Sequence, residues 1–234
     1  MHTILITGCN RGIGLEFVNQ YAKAGCQVHA TCRNPATASE LTSLASAHPN
    51  VRVHRLDVTN QSNIGQLKSD IDGTELNGII HNAGVYPSQG LQLASIDPER
   101  WLDAFRVNTI APAMLTQALL PNLETAAQAG LPGQVAIISS KVGSIDDNQS
   151  GGSYPYRSSK TAANQVMKSL SIDLAPKGIR VVSLHPGWVQ TDMGGPSALI
   201  SAETSVSGMR QVLSNLTKEQ SGQFFNYDGT TIAW

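Results

Sequence analysis

Residues 3–14 read Thr3-Ile4-Leu5-Ile6-Thr7-Gly8-Cys9-Asn10-Arg11-Gly12-Ile13-Gly14. The first five are apolar or β-branched and predict a strand, whereas a helical pattern begins at Gly12. Glycines between the two elements permit a tight turn and let a pyrophosphate approach the amides at the start of the helix. The spacing is G-x-x-x-G-x-G, not the commoner G-x-G-x-x-G. Its place between a first strand and a first helix favours a dinucleotide site over a simple turn.

The pattern of strand followed by helix repeats along the chain. Candidate strands are Thr3–Thr7, Gln27–Cys32, Val51–Asp57, Gly78–His81, Gln134–Ser139 and Arg180–His185, with a last strand from Phe224. Candidate helices are Gly12–Ala24, Thr37–Ala47, Gln61–Asp70, Pro98–Asn108 continuing towards Leu120, Tyr156–Leu174 and Ser205–Leu213. Several strands are near-continuous apolar runs, typical of parallel strands covered on both faces. The alternation predicts an α/β fold, a single-domain Rossmann-type doubly wound parallel sheet flanked by helices.

The chain shows no linker and no internal repeat, so we expect one NAD(P)-binding domain over residues 1–234. Two long Gly-rich loops, Lys141–Pro155 and the stretch from Pro186 to about Ser201, follow the carboxyl ends of strands. Open parallel sheets bind ligands on that side. We therefore expect a substrate loop at about 190–210.

Composition excludes several classes of partner. Charged residues make up 14% of the chain, the net charge is -1, and no run of Lys or Arg stands out. This balance argues against binding to nucleic acid or to an anionic membrane. No secretory leader is recognisable and no apolar run approaches the ~20 residues that cross a bilayer, so we expect a cytoplasmic protein. Cys9, Cys26 and Cys32 fit reduced thiols better than a disulfide frame or a metal site.

Two arginines bear on the choice of dinucleotide. An NAD site usually offers an Asp or Glu at the end of the second strand, and Gln27–Cys32 has none. Arg33 follows that strand directly, and Arg11 precedes the second glycine of the turn. Arg can bind a 2′-phosphate through two parallel hydrogen bonds. Either arginine alone could be a solvated surface residue, but together they favour NADP(H) over NAD(H).

Tyr156-Arg157-Ser158-Ser159-Lys160 places a phenol and an ammonium on one face of a predicted helix. An ammonium at this distance favours the phenolate, so we expect the pKa of Tyr156 to fall from about 10 towards neutrality. Ser140, at a strand end, could hydrogen-bond a carbonyl that also meets the phenol. Taken alone, these residues could equally be a surface pair and a turn former, and Asn108 a polar group facing solvent.

Taken together, these pieces resemble the short-chain dehydrogenase/reductase family over nearly the whole chain. The matching motifs stand in the family's order: Thr7-Gly8-x-x-x-Gly12-Ile13-Gly14, Asp57-Val58, His81-Asn82-Ala83-Gly84, Asn108, Ile138-Ser139-Ser140, Tyr156-x-x-x-Lys160 and Pro186-Gly187-x-x-x-Thr191. Within the family, the chain most resembles the sniffer-type carbonyl reductases and the bacterial C-factor. That resemblance rests on Ala30-Thr31-Cys32-Arg33-Asn34, Ser171-Ile172-Asp173-Leu174, His185-Pro186-Gly187-Trp188-Val189, Thr191-Asp192-Met193-Gly194-Gly195 and Asn226-Tyr227-Asp228-Gly229. His81 replaces the family's commonest first Asn, and we interpret it as a packed strand residue.

The resemblance implies a catalytic role for four residues. Tyr156 would be the general acid that gives a proton to the carbonyl oxygen. Lys160 would lower its pKa and hold the nicotinamide ribose, and Ser140 would polarise the substrate. Asn108 would hold a water that links Lys160 to solvent as a proton relay.

The resemblance also implies a set of cofactor-binding residues at the strand ends. Asp57 and Val58 would contact the adenine, and Val189 and Thr191 the nicotinamide carboxamide. The full set is Gly8, Asn10, Arg11, Gly12, Ile13, Gly14, Arg33, Asp57, Val58, Asn82, Ala83, Gly84, Tyr156, Lys160, Pro186, Gly187, Val189 and Thr191.

The implied activity is the NADPH-dependent reduction of carbonyl groups by hydride transfer. Apolar or aromatic residues beside the catalytic segments favour an aldehyde, ketone or quinone with an apolar body, although each could simply pack the fold. These residues are Tyr86, Ile145, Tyr154, Trp188 and Met193.

Two alternatives belong to other classes. One is a dinucleotide-binding regulatory or signalling protein of C-factor type with little turnover. The other is a sugar-nucleotide epimerase or dehydratase, which shares the Tyr-Lys pair but generally adds a C-terminal substrate domain that the short stretch after Thr191 does not supply. The family resemblance further suggests a homodimer or a homotetramer.

Overall fold

The computed structural model describes residues 2–87, 93–131 and 133–234. Seven strands form one sheet in the order β3-β2-β1-β4-β5-β6-β7, and every neighbouring pair is parallel. The strands are β1 (Thr3–Ile6), β2 (Gln27–Cys32), β3 (Val51–Arg55), β4 (Gly78–His81), β5 (Gln134–Ile138), β6 (Arg180–His185) and β7 (Phe224–Asn226). The predicted doubly wound parallel sheet is confirmed.

Helices cover both faces of this sheet. They are α1 (Gly12–Lys23), α2 (Ser39–Ala47), α3 (Gln61–Asp70), α4 (Pro98–Phe105), α5 (Ala111–Ala118), α6 (Leu120–Gln128), α7 (Tyr154–Leu174) and α8 (Ala202–Ser214). Of the helices that the structure describes, none is both long and apolar enough to cross a membrane.

Alternation along β1 explains why its sequence is apolar throughout. Ile4 and Ile6 join the core that includes side chains of α1 and α8, whereas Leu5 joins the core formed with α3, α5 and α7. Successive side chains of a strand point to opposite faces, so a central strand with helices on both sides buries every residue. Each layer is therefore anchored on the strand that leads into the glycine-rich turn.

The strand order reverses beside β1. β2 and β3 lie on one side of it, and β4 to β7 lie on the other. The chains leaving β1 and β4 diverge at the carboxyl edge, which opens a crevice there. The structure thus places residues 7–14 and 82–87 at the topological switch point.

Several predicted bounds differ from the observed ones. β1, β3 and β5 end at Ile6, Arg55 and Ile138, one or two residues early, because the chain leaves the sheet for the turns of the crevice. α2 starts at Ser39 after a separate 3₁₀ turn over Pro35–Thr37. α7 begins two residues earlier than predicted, since Pro155 fits the first turn of a helix.

The long predicted helix from Pro98 is interrupted. A π-helical turn over Arg106–Ile110 separates α4 from α5, and α6, which the sequence pattern did not predict, follows. The later half of the predicted substrate loop is helical, because α8 starts at Ala202 with the Ser201 hydroxyl accepting a 3.1 Å hydrogen bond from the amide of Thr204.

Candidate active site

The turns after β1 and β4 are fastened together. The hydroxyl oxygen of Thr7 accepts hydrogen bonds from the amides of Asn82 and Ala83, each at 3.0 Å. The Asn82 side-chain amide donates to the carbonyl oxygens of Thr7 and Gly8, at 2.9 and 3.0 Å. The two segments predicted to hold the cofactor therefore form one rigid edge of the crevice.

Glycine is required at two positions of this edge. Gly8 has a φ of +72°, and a Cβ there would lie 2.9 Å from the Cα of Ala83. A Cβ on Gly14 would lie 2.2 Å from the carbonyl oxygen of Gly8. The close approach packs the start of α1 against the turn. The first amides of a helix have no partner within the helix, so such a start can bind an anion like the pyrophosphate of a dinucleotide.

The predicted adenosine side lies at the ends of β2 and β3. The Asp57 carboxylate accepts hydrogen bonds from the Thr59 amide and hydroxyl, at 2.9 and 2.7 Å. Burial raises the pKa of Asp57, but these hydrogen bonds, with a smaller contribution from the charge of Arg33, outweigh it and leave the pKa below its usual value. Asp57 is thus an ionised acceptor beside the exposed Arg33.

Arg11 lies in the glycine-rich turn. It precedes α1, is exposed, and pairs through its guanidinium with the carboxylate of Asp192 at 2.8 Å. Asn10 is also exposed, Val58 is half-buried, and Ile13 packs against the core below the turn. The structure therefore leaves Arg11 and Arg33 both accessible at the carboxyl edge.

The predicted catalytic residues come together from β5 and α7. Tyr156 lies in the first turn of α7, and its phenol is hydrogen-bonded to the hydroxyl of Ser140. The Lys160 ammonium lies 5.6 Å from the centroid of the Tyr156 ring and donates a 2.8 Å hydrogen bond to the carbonyl oxygen of Ile138. Two hydroxyl groups and one cation thus converge beside the crevice.

The expected direction of the Tyr156 pKa shift is wrong. Burial raises the pKa of Tyr156 to about 12, against the opposing effect of the hydrogen bond from Ser140. Burial also lowers the pKa of Lys160 to about 8. Desolvation is the largest cause of both shifts. The phenol therefore keeps its proton at pH 7, which is the form that a general acid needs.

Asn108 lies at the centre of the π-helical turn and is buried. Its side chain accepts from the amide of Val85 at 2.9 Å and donates to the carbonyl of Val85 and the hydroxyl of Ser159, each at 3.0 Å. A Cβ on Gly84 would lie 3.3 Å from the Asn108 side-chain oxygen and 3.6 Å from the Lys160 nitrogen. Asn108 is thus beside Lys160, while its side chain holds the loop after β4. Its role in a water relay stays a prediction.

The segment after β6 packs against the glycine-rich turn. Gly187 has a φ of +82°, the Pro186 carbonyl accepts a 2.5 Å hydrogen bond from Ser205, and Val189 forms an isolated β-bridge with Ile200. A Cβ on Gly12 would lie 3.2 Å from the methyl group of Thr191. Thr191 therefore lies against the glycine-rich turn.

Sequence reasoning left some members of the site without a role. The motif that contains Thr7 gives its hydroxyl no role of its own, and the pairing of Asp192 with Arg11 joins residues distant along the chain. His81 is buried and hydrogen-bonded to Thr116 at 2.8 Å, as expected of a packed strand residue. The apolar or aromatic residues beside the catalytic segments are the predicted rim of the site. Of these, Ile145, Tyr154, Trp188 and Met193 are exposed, whereas Tyr86 is half-buried against Tyr156.

Known proteins share this arrangement. Residues 2–199 match the family model described as short chain dehydrogenase. The C-signal of Myxococcus xanthus is 44% identical over 158 residues, which cover 67% of this chain and 91% of that protein. The carbonyl reductase Sniffer of D. melanogaster has a TM-score of 0.95 at 42% identity, with 100% of both chains covered. The NADPH-bound carbonyl reductase from chicken fatty liver has a TM-score of 0.93 at 39% identity, with coverage of 100% and 99%.

The family match spans most of the chain, and the resemblance drawn from the motifs is confirmed. The protein belongs to the short-chain dehydrogenase family of oxidoreductases.

Proposed function

We propose that this protein is an NADPH-dependent oxidoreductase that reduces aldehydes, ketones or quinones, with Tyr156 as the general acid. One observation carries the proposal: the Tyr156 phenol is hydrogen-bonded to Ser140, and the centroid of its ring lies 5.6 Å from the Lys160 ammonium. A protein that only binds a dinucleotide has no need of this group of side chains.

The chain's residues would act on the carbonyl oxygen. NADPH supplies the hydride when it is bound. Negative charge develops on the carbonyl oxygen as its carbon is reduced, and the hydroxyls of Ser140 and Tyr156 are two donors that meet it. Tyr156 gives up its proton, and the nearby Lys160 ammonium stabilises the phenolate that remains. A relay past Asn108 would return a proton to Tyr156.

The edge of the crevice supports NADPH as the cofactor. The glycine-rich turn and residues 82–84 would hold the pyrophosphate and the adenosine ribose, and Asp57 the adenine. Arg11 and Arg33, both exposed at this edge, would bind the 2′-phosphate. Lys160 and the segment from Pro186 to Thr191 would hold the nicotinamide half. The similar chicken enzyme is a carbonyl reductase with NADPH bound.

Exposed apolar side chains support an apolar or aromatic substrate. Ile145, Trp188 and Met193 are exposed on the two loops that follow β5 and β6. The Trp188 ring is fixed by a 2.8 Å hydrogen bond from its indole nitrogen to the carbonyl of Gly194. Such a rim favours a flat, apolar carbonyl compound over an anionic one.

A signalling protein is the second candidate, because the chain is similar to the C-signal of Myxococcus xanthus. NADPH oxidation by the purified protein on a panel of quinones, aldehydes and ketones separates the two functions. We expect turnover with at least one class, and its loss in Ser140→Ala. Tight NADPH binding with no turnover on any member of the panel would contradict the enzymatic function and favour the signalling one.

On the family resemblance we further propose a cytoplasmic homodimer or homotetramer. Light scattering during size-exclusion chromatography tests the assembly, and a monomeric mass would contradict it.

A further inference from the structure

Tyr86 contacts the ring that carries the proposed general acid. The centroids of the Tyr86 and Tyr156 rings lie 4.6 Å apart with their planes at 68°, an edge-to-face packing. The Tyr86 hydroxyl lies 3.2 Å from the hydroxyl of Ser153, the residue that directly precedes α7. Tyr86 therefore spans the distance from the catalytic ring to the start of the helix that bears it.

The backbone directly before Tyr86 is held by Asn108. Asn108 binds both the amide and the carbonyl of the preceding residue, Val85. The same Asn108 amide donates to the Ser159 hydroxyl, which in turn donates to the Tyr156 carbonyl at 2.9 Å. One set of hydrogen bonds from Asn108 therefore reaches both the residue before Tyr86 and, through Ser159, the backbone of Tyr156. These bonds fix the position of the Tyr86 ring relative to the Tyr156 ring.

Ser153 has an unusual backbone for its type. Its φ is +47°, and among the residues that the structure describes it is the only non-glycine residue with a positive φ. It follows Gly151 and Gly152, which also have positive φ. Glycine would adopt this conformation more easily than serine but would lack the hydroxyl that meets Tyr86. The strained position therefore carries the side chain needed for the contact.

We propose that Tyr86 is a positioning residue that fixes the ring of Tyr156 through edge-on packing and through the hydrogen bond with Ser153. The kinetic test of this inference rests on the proposed function, because it measures the turnover of a carbonyl substrate. Burial, to which the Tyr86 ring contributes, also keeps the phenol of Tyr156 protonated, in line with its raised pKa.

The kinetic test uses variants that remove the ring or the hydroxyl. Tyr86→Leu removes the ring and should lower kcat by about tenfold or more, while the KM for NADPH changes less than about twofold, because only the acid is misaligned. Tyr86→Phe should restore kcat to within about threefold of wild type. Tyr21→Phe, which removes a phenol hydroxyl in α1 remote from these contacts, is the control. Wild-type kcat in Tyr86→Leu would overturn the proposal.

A double-mutant cycle keeps the test open if Tyr86→Leu fails to fold. Ser153→Ala and Tyr86→Phe remove the same hydrogen bond, so the double variant should lose no more kcat than the worse single variant. Losses that multiply independently would overturn the proposal.

A spectroscopic readout does not depend on turnover. Absorbance near 295 nm between pH 8 and 11 follows tyrosine ionisation, and Tyr156→Phe in each background identifies the contribution of Tyr156. We expect Tyr156 to stay un-ionised over this range in wild type and to ionise in part in Tyr86→Leu. Identical titrations in the two backgrounds would overturn the proposal. An enzyme that shows this ionisation but turns over no carbonyl would instead contradict the proposed function alone.

Discussion

Arg11 and Asp192 form an ion pair at 2.8 Å that joins the start of α1 to the segment after β6. Both side chains are largely exposed, at 67% and 72%. Exposed pairs of this kind contribute only about 0–1 kcal/mol, so Arg11 can exchange Asp192 for a phosphate at little cost. The pair thus holds at the mouth of the crevice the guanidinium that we propose binds the 2′-phosphate of NADPH.

Arg11→Ala should raise the KM for NADPH by about tenfold or more, because charge-assisted hydrogen bonds to a phosphate contribute about 1.5–3 kcal/mol. The KM for NADH, which lacks the 2′-phosphate, should change little. Arg33→Asp should act in the same direction, and Asp192→Asn, which removes the competing carboxylate, should leave the KM for NADPH unchanged or lower it. Steady-state kinetics with both cofactors decides; equal rises for NADPH and NADH would refute the role of the arginines.

Gly14→Ala should destabilise the protein by about 1–3 kcal/mol, since the added Cβ would lie 2.2 Å from the Gly8 carbonyl oxygen. It should also weaken NADPH binding, because the turn must open to accept the methyl group. The control is Gly65→Ala in α3, where no atom lies within 4 Å of the new Cβ and the free energy of unfolding should rise by about 0.5–1 kcal/mol. Urea unfolding measures both, and equal effects would contradict the packing of the turn.

The kcat/KM for NADPH should be constant at neutral pH and fall as the pH rises through about 8. Burial lowers the pKa of Lys160 to about 8, so its ammonium loses its charge there, whereas Tyr156, with a pKa raised to about 12, keeps its proton. This parameter reports the free enzyme. A profile from pH 6 to 9.5 without the fall, or one in which Lys160→Met retains the same fall, would count against this assignment.

Acid should destabilise the protein through its buried histidines. Burial lowers the pKa of His81 to about 3 and of His29 to about 4, from the ordinary 6.5. The unfolded chain therefore binds more protons than the folded one between about pH 6.5 and pH 4, and the free energy of unfolding decreases as the pH falls through that window. Each histidine contributes a slope approaching about 1.4 kcal/mol per pH unit.

His81→Gln tests this slope by removing one of the groups. Denaturant unfolding at several pH values should show a shallower pH dependence for His81→Gln than for wild type. His2→Gln, at an exposed position, is the matched control and should keep the wild-type slope. The same slope in His81→Gln as in wild type would argue against a neutral buried His81.

Local patterns predict much of this fold. The bounds of β2, β4, β6 and α3 agree with those predicted, because their periodicity and their flanking turn residues lie in the sequence itself. The π-helical turn over Arg106–Ile110 does not follow from its own residues. It accompanies the hydrogen bonds between Asn108 and Val85, which are distant in sequence. The local pattern does not predict α6, since Pro121 would break a helix interior, although proline is well accommodated in a first turn.

Some features of the candidate site follow from the sequence, and others depend on contacts that only the fold brings about. The order of the motifs predicts that Ser140, Tyr156 and Lys160 lie together, and the structure places them together. The direction of the Tyr156 pKa shift could not be obtained from helical spacing, because desolvation depends on what covers the ring, including Tyr86 from another loop. The partner of Arg11 is likewise set by the fold and not by its neighbours in the chain.

Comparison of wild type with Tyr156→Phe tests the central claim most directly. Turnover of an active carbonyl substrate should fall by at least about a thousandfold, because the variant keeps the ring and loses the proton donor. Fluorescence titration should give an NADPH dissociation constant within about twofold of wild type, since the substitution leaves the glycine-rich turn and the other proposed NADPH-binding residues at the strand ends unchanged. Carbonyl reduction by Tyr156→Phe at the wild-type rate, with NADPH binding intact, would contradict the account.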